Sequence, residues 1–104
     1  MKSTHAPGRD ISAPVSLGLD TRTEFRKAAI ALLDAMPEGS GCLTIDLTPT
    51  RHVDSAGLGA LMLVQRRAAE RRLSVMLRNP NDDLRFLLLL TKLDTLFEVD
   101  APAR

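Results

Sequence analysis

The chain has 104 residues, which is enough for one domain with a hydrophobic core of its own. Its formal net charge of +1 and its lack of tryptophan and tyrosine argue against nucleic-acid binding, which needs a basic surface and gains from aromatic stacking. Cys42 is the only cysteine, which excludes an internal disulfide and is typical of a reducing compartment. The sequence shows neither a signal-peptide pattern nor an apolar run long enough for membrane insertion, so we expect a cytoplasmic protein.

The N-terminal region is expected to be irregular. Residues 1–9 should form a flexible arm, because they contain Ser, Thr, Pro and Gly without a hydrophobic period. Residues 10–100 carry all of the periodic pattern and should form the single domain, and residues 101–104 should fray. The segment 11–19 has room for one strand at most, and Pro14 places that strand at a sheet edge because proline cannot donate to the ladder.

A first helix and a central strand follow. Thr21 with Glu24 three residues later predicts a capping box at the start of the helix. Apolar residues then recur at helical spacing and predict an amphipathic helix, namely Phe25, Ala28, Ala29, Leu32, Leu33 and Met36. A Pro- and Gly-rich stretch at 37–41 ends this helix. Apolar and polar residues alternate from Cys42 to Leu47, which predicts a strand with one buried face.

Two more helices and two more strands complete the predicted α/β pattern. A helix is expected from about 56 to 71, a strand over 73–77, a third helix beginning at 79–81, and a short last strand over 96–99. The third helix is apolar nearly all round. This pattern favours burial on two sides, with a dimer or partner surface as the alternative, and the residues concerned are Phe86, Leu89 and Leu90.

The junction between the central strand and the second helix is the strongest local signal. Ser55 stands at the helix entrance, where its oxygen can accept from the free N–H groups of the first turn as N-cap or first-turn residue. Gly57 and Gly59 follow, although each glycine inside a helix costs about 1 kcal/mol relative to alanine. Glycines here indicate a close approach, either by another part of the chain or by a partner. We expect added bulk at Gly57 to impair partner contact more than stability.

The same junction offers little support for an enzyme. His52, Asp54 and Ser55 are the residue types of a hydrolase triad, but near neighbours on one turn usually point apart. Val53 stands where a nucleophile elbow would have glycine, and Met62 stands at the third glycine of a dinucleotide fingerprint. The two histidines and the cysteine lack metal-ligand spacing. We therefore expect no catalytic residue, no cofactor and no metal.

Three segments of the chain together carry the pattern of a known family. They are Asp54-Ser55-Ala56-Gly57-Leu58-Gly59 after a hydrophobic strand, Leu17-Gly18-Leu19-Asp20 before the first helix, and the C-terminal third with Asn79-Pro80 and Leu93-Asp94-Thr95-Leu96-Phe97. In these segments the sequence resembles STAS domains, and among them bacterial anti-sigma factor antagonists (anti-anti-sigma factors). The resemblance implies a mixed, mostly parallel sheet of four or five strands, with three to four helices mainly on one face.

The resemblance also implies a partner-switching function in transcription regulation and stress response. In anti-sigma factor antagonists, the serine after the motif aspartate is phosphorylated by the anti-sigma factor, a serine kinase; Ser55 matches it. The unmodified form binds the anti-sigma factor and frees a sigma factor, the phosphorylated form lets go, and a phosphatase would restore Ser55. The partner-binding residues implied are Asp20, Asp54, Ser55, Ala56, Gly57, Leu58 and Gly59.

The residues themselves favour a binding switch over an enzyme, because helix N-termini tolerate anions and a phosphate on Ser55 would add about −1.5 to −2 charges beside Asp54. Two alternatives remain open. One is a STAS subunit of a lipid-transport ABC complex that binds the ATPase, since some such subunits share the motif with Ala56. The other is a scaffold subunit of a stress-sensing complex. A weak homodimer is a further expectation.

Overall fold

The structure is a computed structural model that describes residues 8–100. It contains six strands, three α-helices and one short 3-10 helix at Leu93–Thr95. In chain order the elements are β1 (Gly8–Ser12), β2 (Ser16–Leu17), α1 (Arg22–Ala35), β3 (Cys42–Asp46), β4 (His52–Val53), α2 (Ser55–Glu70), β5 (Ser74–Arg78), α3 (Asp82–Thr91) and β6 (Glu98–Asp100).

Two strands precede α1, so the prediction of one strand at most is wrong. β1 and β2 lie on either side of Pro14, which has no N–H for a ladder and whose carbonyl instead accepts from the Thr50 hydroxyl at 2.8 Å. The chain therefore changes partner here: β1 pairs with β3, and β2 pairs with β4. Residues 1–7 of the predicted arm and residues 101–104 lie outside the described residues, while residues 8 and 9 belong to β1.

The main sheet has four strands in the order β1-β3-β5-β6, and β2 and β4 form a separate two-stranded sheet. The predicted α/β architecture with a sheet of four or five strands is confirmed, and the main sheet has four. Each of these strand pairs is parallel, so within residues 8–100 the sheet is parallel throughout, whereas the resemblance implies a mixed one. The register places Ile11 beside Ile45 and Ile45 beside Leu77, which gives one apolar row across three strands.

The helices share one face of the sheet, as expected. Each lies between strands that are neighbours in the sheet, and right-handed crossovers of this kind place successive helices on the same side. One core cluster accordingly takes buried residues from α1, α2, α3, β3 and β5, among them Phe25, Leu33, Leu43, Ile45, Leu61, Val64, Val75, Leu77, Leu84 and Leu88. The opposite strand positions are mostly polar, and an ion pair of 3.7 Å joins Arg78 to Asp10.

The start of α1 differs from the prediction. Thr21 occupies the N-cap position, but its side chain makes no cap hydrogen bond. The Thr21 hydroxyl instead donates to the Ser16 carbonyl at 2.7 Å and accepts from the Gly18 N–H at 3.0 Å. The predicted capping box is therefore absent, because the hydroxyl closes the turn that leads into the helix. The predicted apolar side of α1 is buried at Phe25, Ala29, Leu33 and Met36, while Ala28 is exposed.

One side of α3 remains open, so the prediction of burial on two sides is wrong for residues 8–100. Leu84 and Leu88 face the core, whereas Phe86, Leu89 and Leu90 are 62%, 62% and 65% exposed. The physical reason is position, since α3 is the last crossover and no described element covers its outer side. Asn81 caps α3, because its side chain accepts from the Leu84 N–H at 2.8 Å.

Candidate functional site

Asp54 and Ser55 take different roles at the start of α2. Asp54 is the N-cap, and its Oδ1 accepts from the Gly57 N–H at 2.9 Å. Ser55 is the first residue of the helix and is exposed. No residue within 8–100 forms a hydrogen bond with the Ser55 hydroxyl. Of the two placements that the sequence left open for Ser55, the first-turn position is therefore the observed one.

The second carboxylate oxygen of Asp54 reaches the turn before α1. Its Oδ2 accepts from the Leu19 N–H at 3.3 Å, and the turn comes this close because Gly18 has no side chain. A Cβ at Gly18 would lie 2.5 Å from Asp54 Oδ2. The hydrogen bond from Gly57 is the main cause that lowers the pKa of Asp54, with those from Leu19 and Ala56 and the nearby Arg22 acting in the same direction. Ser55 thus stands beside a carboxylate that is held ionised.

The two glycines of α2 differ in their surroundings. Gly57 is buried, and a Cβ there would overlap the carbonyl oxygen of Leu17 in β2. Its small size lets α2 pack against β2, so the expectation that bulk at Gly57 affects partner contact more than stability is reversed. Gly59 is different, because nothing beyond the local helix backbone lies within 4 Å of where its Cβ would stand. It opens onto a surface groove.

This groove lies along α2, is bordered by the first turns of α1 and by Leu96 after the 3-10 helix, and has a volume of about 500 Å³. We call it the α1/α2 groove. It combines an apolar floor with a cationic rim, and the residues that matter here are Arg22, Arg26, Ser55, Gly59, Met62 and Arg66. Ser55 and Gly59 come from the first turns of α2, whereas Arg22 and Arg26 come from the first turns of α1. The Ser55 hydroxyl group and three arginines therefore border the same space.

The structure brings together most of the residues that the sequence predicted for the site. Ser55, Ala56 and Gly59 line the groove, and Asp54 caps the helix beside them. Asp20 is exposed in the turn before α1, which joins Asp54 through the Leu19 N–H. Two of the predicted partner-binding residues lie below the surface: Gly57 is buried, and Leu58 packs against the core.

Sequence reasoning missed Arg22 and Arg26. Their spacing of four residues on α1 places both on one side of that helix, which is a readable signal. Only the packing of α1 on α2 shows that this side faces the groove. Met62 of α2 also lines the groove and is 41% exposed. Among residues 8–100, no cluster of three or more His, Cys, Asp or Glu could hold a metal ion.

No helix within residues 8–100 combines the length and apolar character that a membrane crossing requires. No curated protein matches the sequence significantly. Among solved structures, the fold is similar to that of a protein from Thermotoga maritima proposed to be an anti-sigma factor antagonist, with a TM-score of 0.75 and 18% identity over 89% of this chain and 80% of that one. It is also similar to a sulfate transporter family protein from Wolinella succinogenes, with a TM-score of 0.65 and 16% identity over 91% of this chain and 76% of that one.

The two solved structures are too different from this chain in sequence to show its family. A family model, in contrast, matches the chain at the level of sequence. The model, described as "Mlab, STAS domain", covers residues 12–98, which include every element from β2 to α3 and the whole Asp54-Ser55 junction. The four-stranded sheet with helices on one face agrees with it. The chain therefore belongs to the STAS domain family.

Proposed function

We propose that this STAS domain is an anti-sigma factor antagonist whose partner binding is switched off by phosphorylation of Ser55. The main support for this function is the position and the exposure of the Ser55 side chain. It is exposed at the first position of α2, and its hydroxyl has no hydrogen-bond partner within residues 8–100. The fold likeness to the Thermotoga maritima protein supports the same assignment.

A phosphate on Ser55 would change the surface and leave the fold intact. The N-terminal end of a helix carries a partial positive charge and favours anions, so α2 would tolerate the modification. The phosphate would add about −1.5 to −2 charges next to the ionised Asp54. A partner packed on this surface would then face added bulk, a strongly hydrated group and a new negative charge. Binding is weakened without unfolding.

In this function the unmodified protein binds an anti-sigma factor of the serine kinase type and thereby frees a sigma factor. The kinase phosphorylates Ser55 and is released, and a phosphatase restores the hydroxyl. The protein itself performs no chemistry and acts as a binding domain. Such a cycle regulates transcription, for example in a stress response, and requires the bacterial cytoplasm, where sigma factors work.

The test uses the full chain as bait in lysate of the native organism. Wild type, Ser55→Ala, Ser55→Asp and a charge control, Ser40→Asp, are immobilised in parallel, and retained proteins are identified by mass spectrometry. Ser40 is exposed in the loop after α1 and outside the groove, so its variant adds the same charge elsewhere. We expect a kinase of the anti-sigma type with wild type, Ser55→Ala and Ser40→Asp, but not with Ser55→Asp. Equal retention by Ser55→Asp would contradict the switch.

The second candidate is a transporter subunit that binds the ATPase of a lipid-transport ABC complex. It is supported by Ala56 after the motif serine, and the same fold is found in a sulfate transporter family protein. In this function Ser55 is a first-turn residue with no switching role. A transporter ATPase retained equally by all four baits would support it over the first candidate.

A further inference from the structure

We propose that the α1/α2 groove binds an acidic amphipathic helix of a partner protein, with Arg22, Arg26 and Arg66 pairing with its carboxylates. This assignment rests on the proposed function in one respect, since it names the chemistry of the partner that reaches the Ser55 surface. The recognition itself involves the unmodified groove and needs no phosphorylation.

The floor of the groove is apolar and accessible. Met62 and Leu63 are each 41% exposed at neighbouring positions of α2. Gly59 leaves open space above the helix backbone next to them. The hollow continues past Leu63 along the same helix pair into a second depression of about 600 Å³, where Ile30, Ala31 and Leu63 are apolar and the other lining residues are charged. A row of apolar side chains on a partner helix therefore has room along this surface.

The rim of the groove is cationic. Arg22 and Arg26 lie four residues apart on α1, which places them on the same side of that helix, and Arg66 stands on α2. Within residues 8–100, neither Arg26 nor Arg66 takes part in an ion pair or a side-chain hydrogen bond. The Arg22 guanidinium acts on the Asp54 carboxylate at the end of the groove and helps to lower the pKa of Asp54.

Arg67, the fourth arginine of this helix pair, is already paired. It contacts Asp34 at 2.9 Å and Glu70 at 3.5 Å, so it adds no unpaired charge at the far end of the pair. Lys27 of α1 has no ion-pair partner within residues 8–100 and borders the second depression, so the excess positive charge extends from the groove into that depression. Charge complementarity selects a segment with apolar residues on one side and carboxylates four residues apart beside them.

The test uses two synthetic amphipathic helical peptides with identical apolar residues, one carrying Glu and the other Lys at the two flanking positions four residues apart. Both are titrated into the unphosphorylated full chain by fluorescence anisotropy, and bound amides are mapped by NMR. We expect the Glu peptide to bind, to shift amides of α1 and α2, and to lose affinity as salt rises. The Lys peptide should bind at least tenfold more weakly.

The matched variants are Arg26→Glu with Arg66→Glu, and the control Arg51→Glu, an exposed loop residue outside the groove. The double variant should lose at least tenfold in affinity for the Glu peptide and should prefer the Lys peptide, whereas the control should match wild type. Equal binding of the two peptides to wild type would overturn the assignment even if the double variant failed to fold.

Three further results would also overturn it: no binding of the Glu peptide, amide shifts confined to the exposed side of α3, and self-association of the protein that disappears in the double variant. The outcomes for the two functions are separable. Loss of kinase binding in Ser55→Asp together with no preference for the Glu peptide would leave the switch standing and refute only the groove assignment. Preference for the Glu peptide together with unchanged kinase binding by Ser55→Asp would support the groove assignment and refute only the switch.

Discussion

At the scale of single residues, Asp54 caps α2, and the Ser55 hydroxyl beside it remains available for modification. Asp54 supplies the cap that α2 needs, through its bond to the Gly57 N–H. This leaves the Ser55 hydroxyl without a structural task within residues 8–100. A side chain that the fold does not use can be modified without a penalty to folding, and this is the physical basis of the proposed switch.

The ionised Asp54 should make stability depend on pH in a defined direction. Hydrogen bonds, first that from Gly57, hold its folded pKa below the ordinary value of 3.8, so its stabilising contribution is present above that value and is lost as pH falls through the folded pKa. Asp54→Asn should therefore flatten part of the decline in unfolding free energy between about pH 5 and about pH 2. Urea denaturation across this range measures it.

Asp20→Asn is the matched control, because the Asp20 carboxylate makes no hydrogen bond with residues 8–100. Its acid profile should follow wild type. If the unfolding free energy of Asp54→Asn declined with falling pH as steeply as that of wild type, protonation of Asp54 would not be coupled to stability. Part of the slope should survive in either case, since hydrogen bonds also lower the pKa of Asp34 and Asp46.

Gly57 and Gly59 should respond in opposite directions to alanine. Gly57→Ala places a Cβ against the Leu17 carbonyl and should destabilise the protein by about 1–3 kcal/mol, as overpacking does. Gly59→Ala meets open space and should stabilise it by about 0.5–1 kcal/mol through helix propensity. The measurement is the free energy of unfolding in urea. Changes of the same sign would show that these neighbouring glycines have similar surroundings.

At the scale of elements, α3 shows that an apolar helix need not be a buried one. Its inner side supplies Leu84 and Leu88 to the core, and its outer side exposes Phe86, Leu89 and Leu90. Both sides look alike in sequence, because hydrophobicity reports the capacity for burial and says nothing about what lies opposite. The outer side suits a contact with another molecule better than a structural role inside this domain.

Neighbouring leucines of α3 provide a direct check on this orientation. Leu88 is 1% exposed, and Leu88→Ala should destabilise the protein by about 2–5 kcal/mol. Leu89 is 62% exposed, and Leu89→Ala should change the unfolding free energy by no more than about 0.5 kcal/mol. Both variants keep the helix propensity of alanine, so the difference isolates burial. Comparable losses in dilute protein would mean that another part of the chain covers the outer side.

At the scale of the whole molecule, Arg71 joins the ends of the first two crossovers beside the ion pair of Arg67 with Asp34. Arg71 follows α2, and its side chain donates to the carbonyls of Leu33 at 3.0 Å and Met36 at 2.7 Å at the end of α1. The last carbonyls of a helix lack the usual partner one turn further on. Arg71 supplies a donor to the Met36 carbonyl and a second donor to the Leu33 carbonyl, which also accepts from the Met36 N–H at 3.1 Å. The contact holds α1 and α2 together at the end of the pair opposite to Ser55.

Loss of this contact should weaken the whole fold. Arg71→Ala should lower the unfolding free energy by about 1–3 kcal/mol, the range for hydrogen bonds to charged groups. Arg66→Ala is the control, because Arg66 is exposed and unpaired within residues 8–100, and it should stay within about 0.5 kcal/mol of wild type. Urea denaturation compares the two. Equal stability of both variants would show that water replaces Arg71 at no cost.

The sequence by itself determined the alternation of strands and helices, the bounds of the main elements within a few residues, and the Asp54-Ser55 junction. These features are local: a helical or strand period is written in consecutive residues, and an N-cap concerns groups three residues apart. The parallel pairing within the main sheet agrees with this alternation, since parallel strands need crossover connections such as these helices.

Only the tertiary structure decided what each side chain faces. The contrast between Gly57 and Gly59, the use of the Thr21 hydroxyl in a turn, the open side of α3 and the arginines of the α1/α2 groove all depend on residues distant in sequence. The second N-terminal strand belongs here too, because two residues of β2 become a strand only by pairing with β4. Contacts of this kind arise from packing between elements, and no period along the chain encodes them.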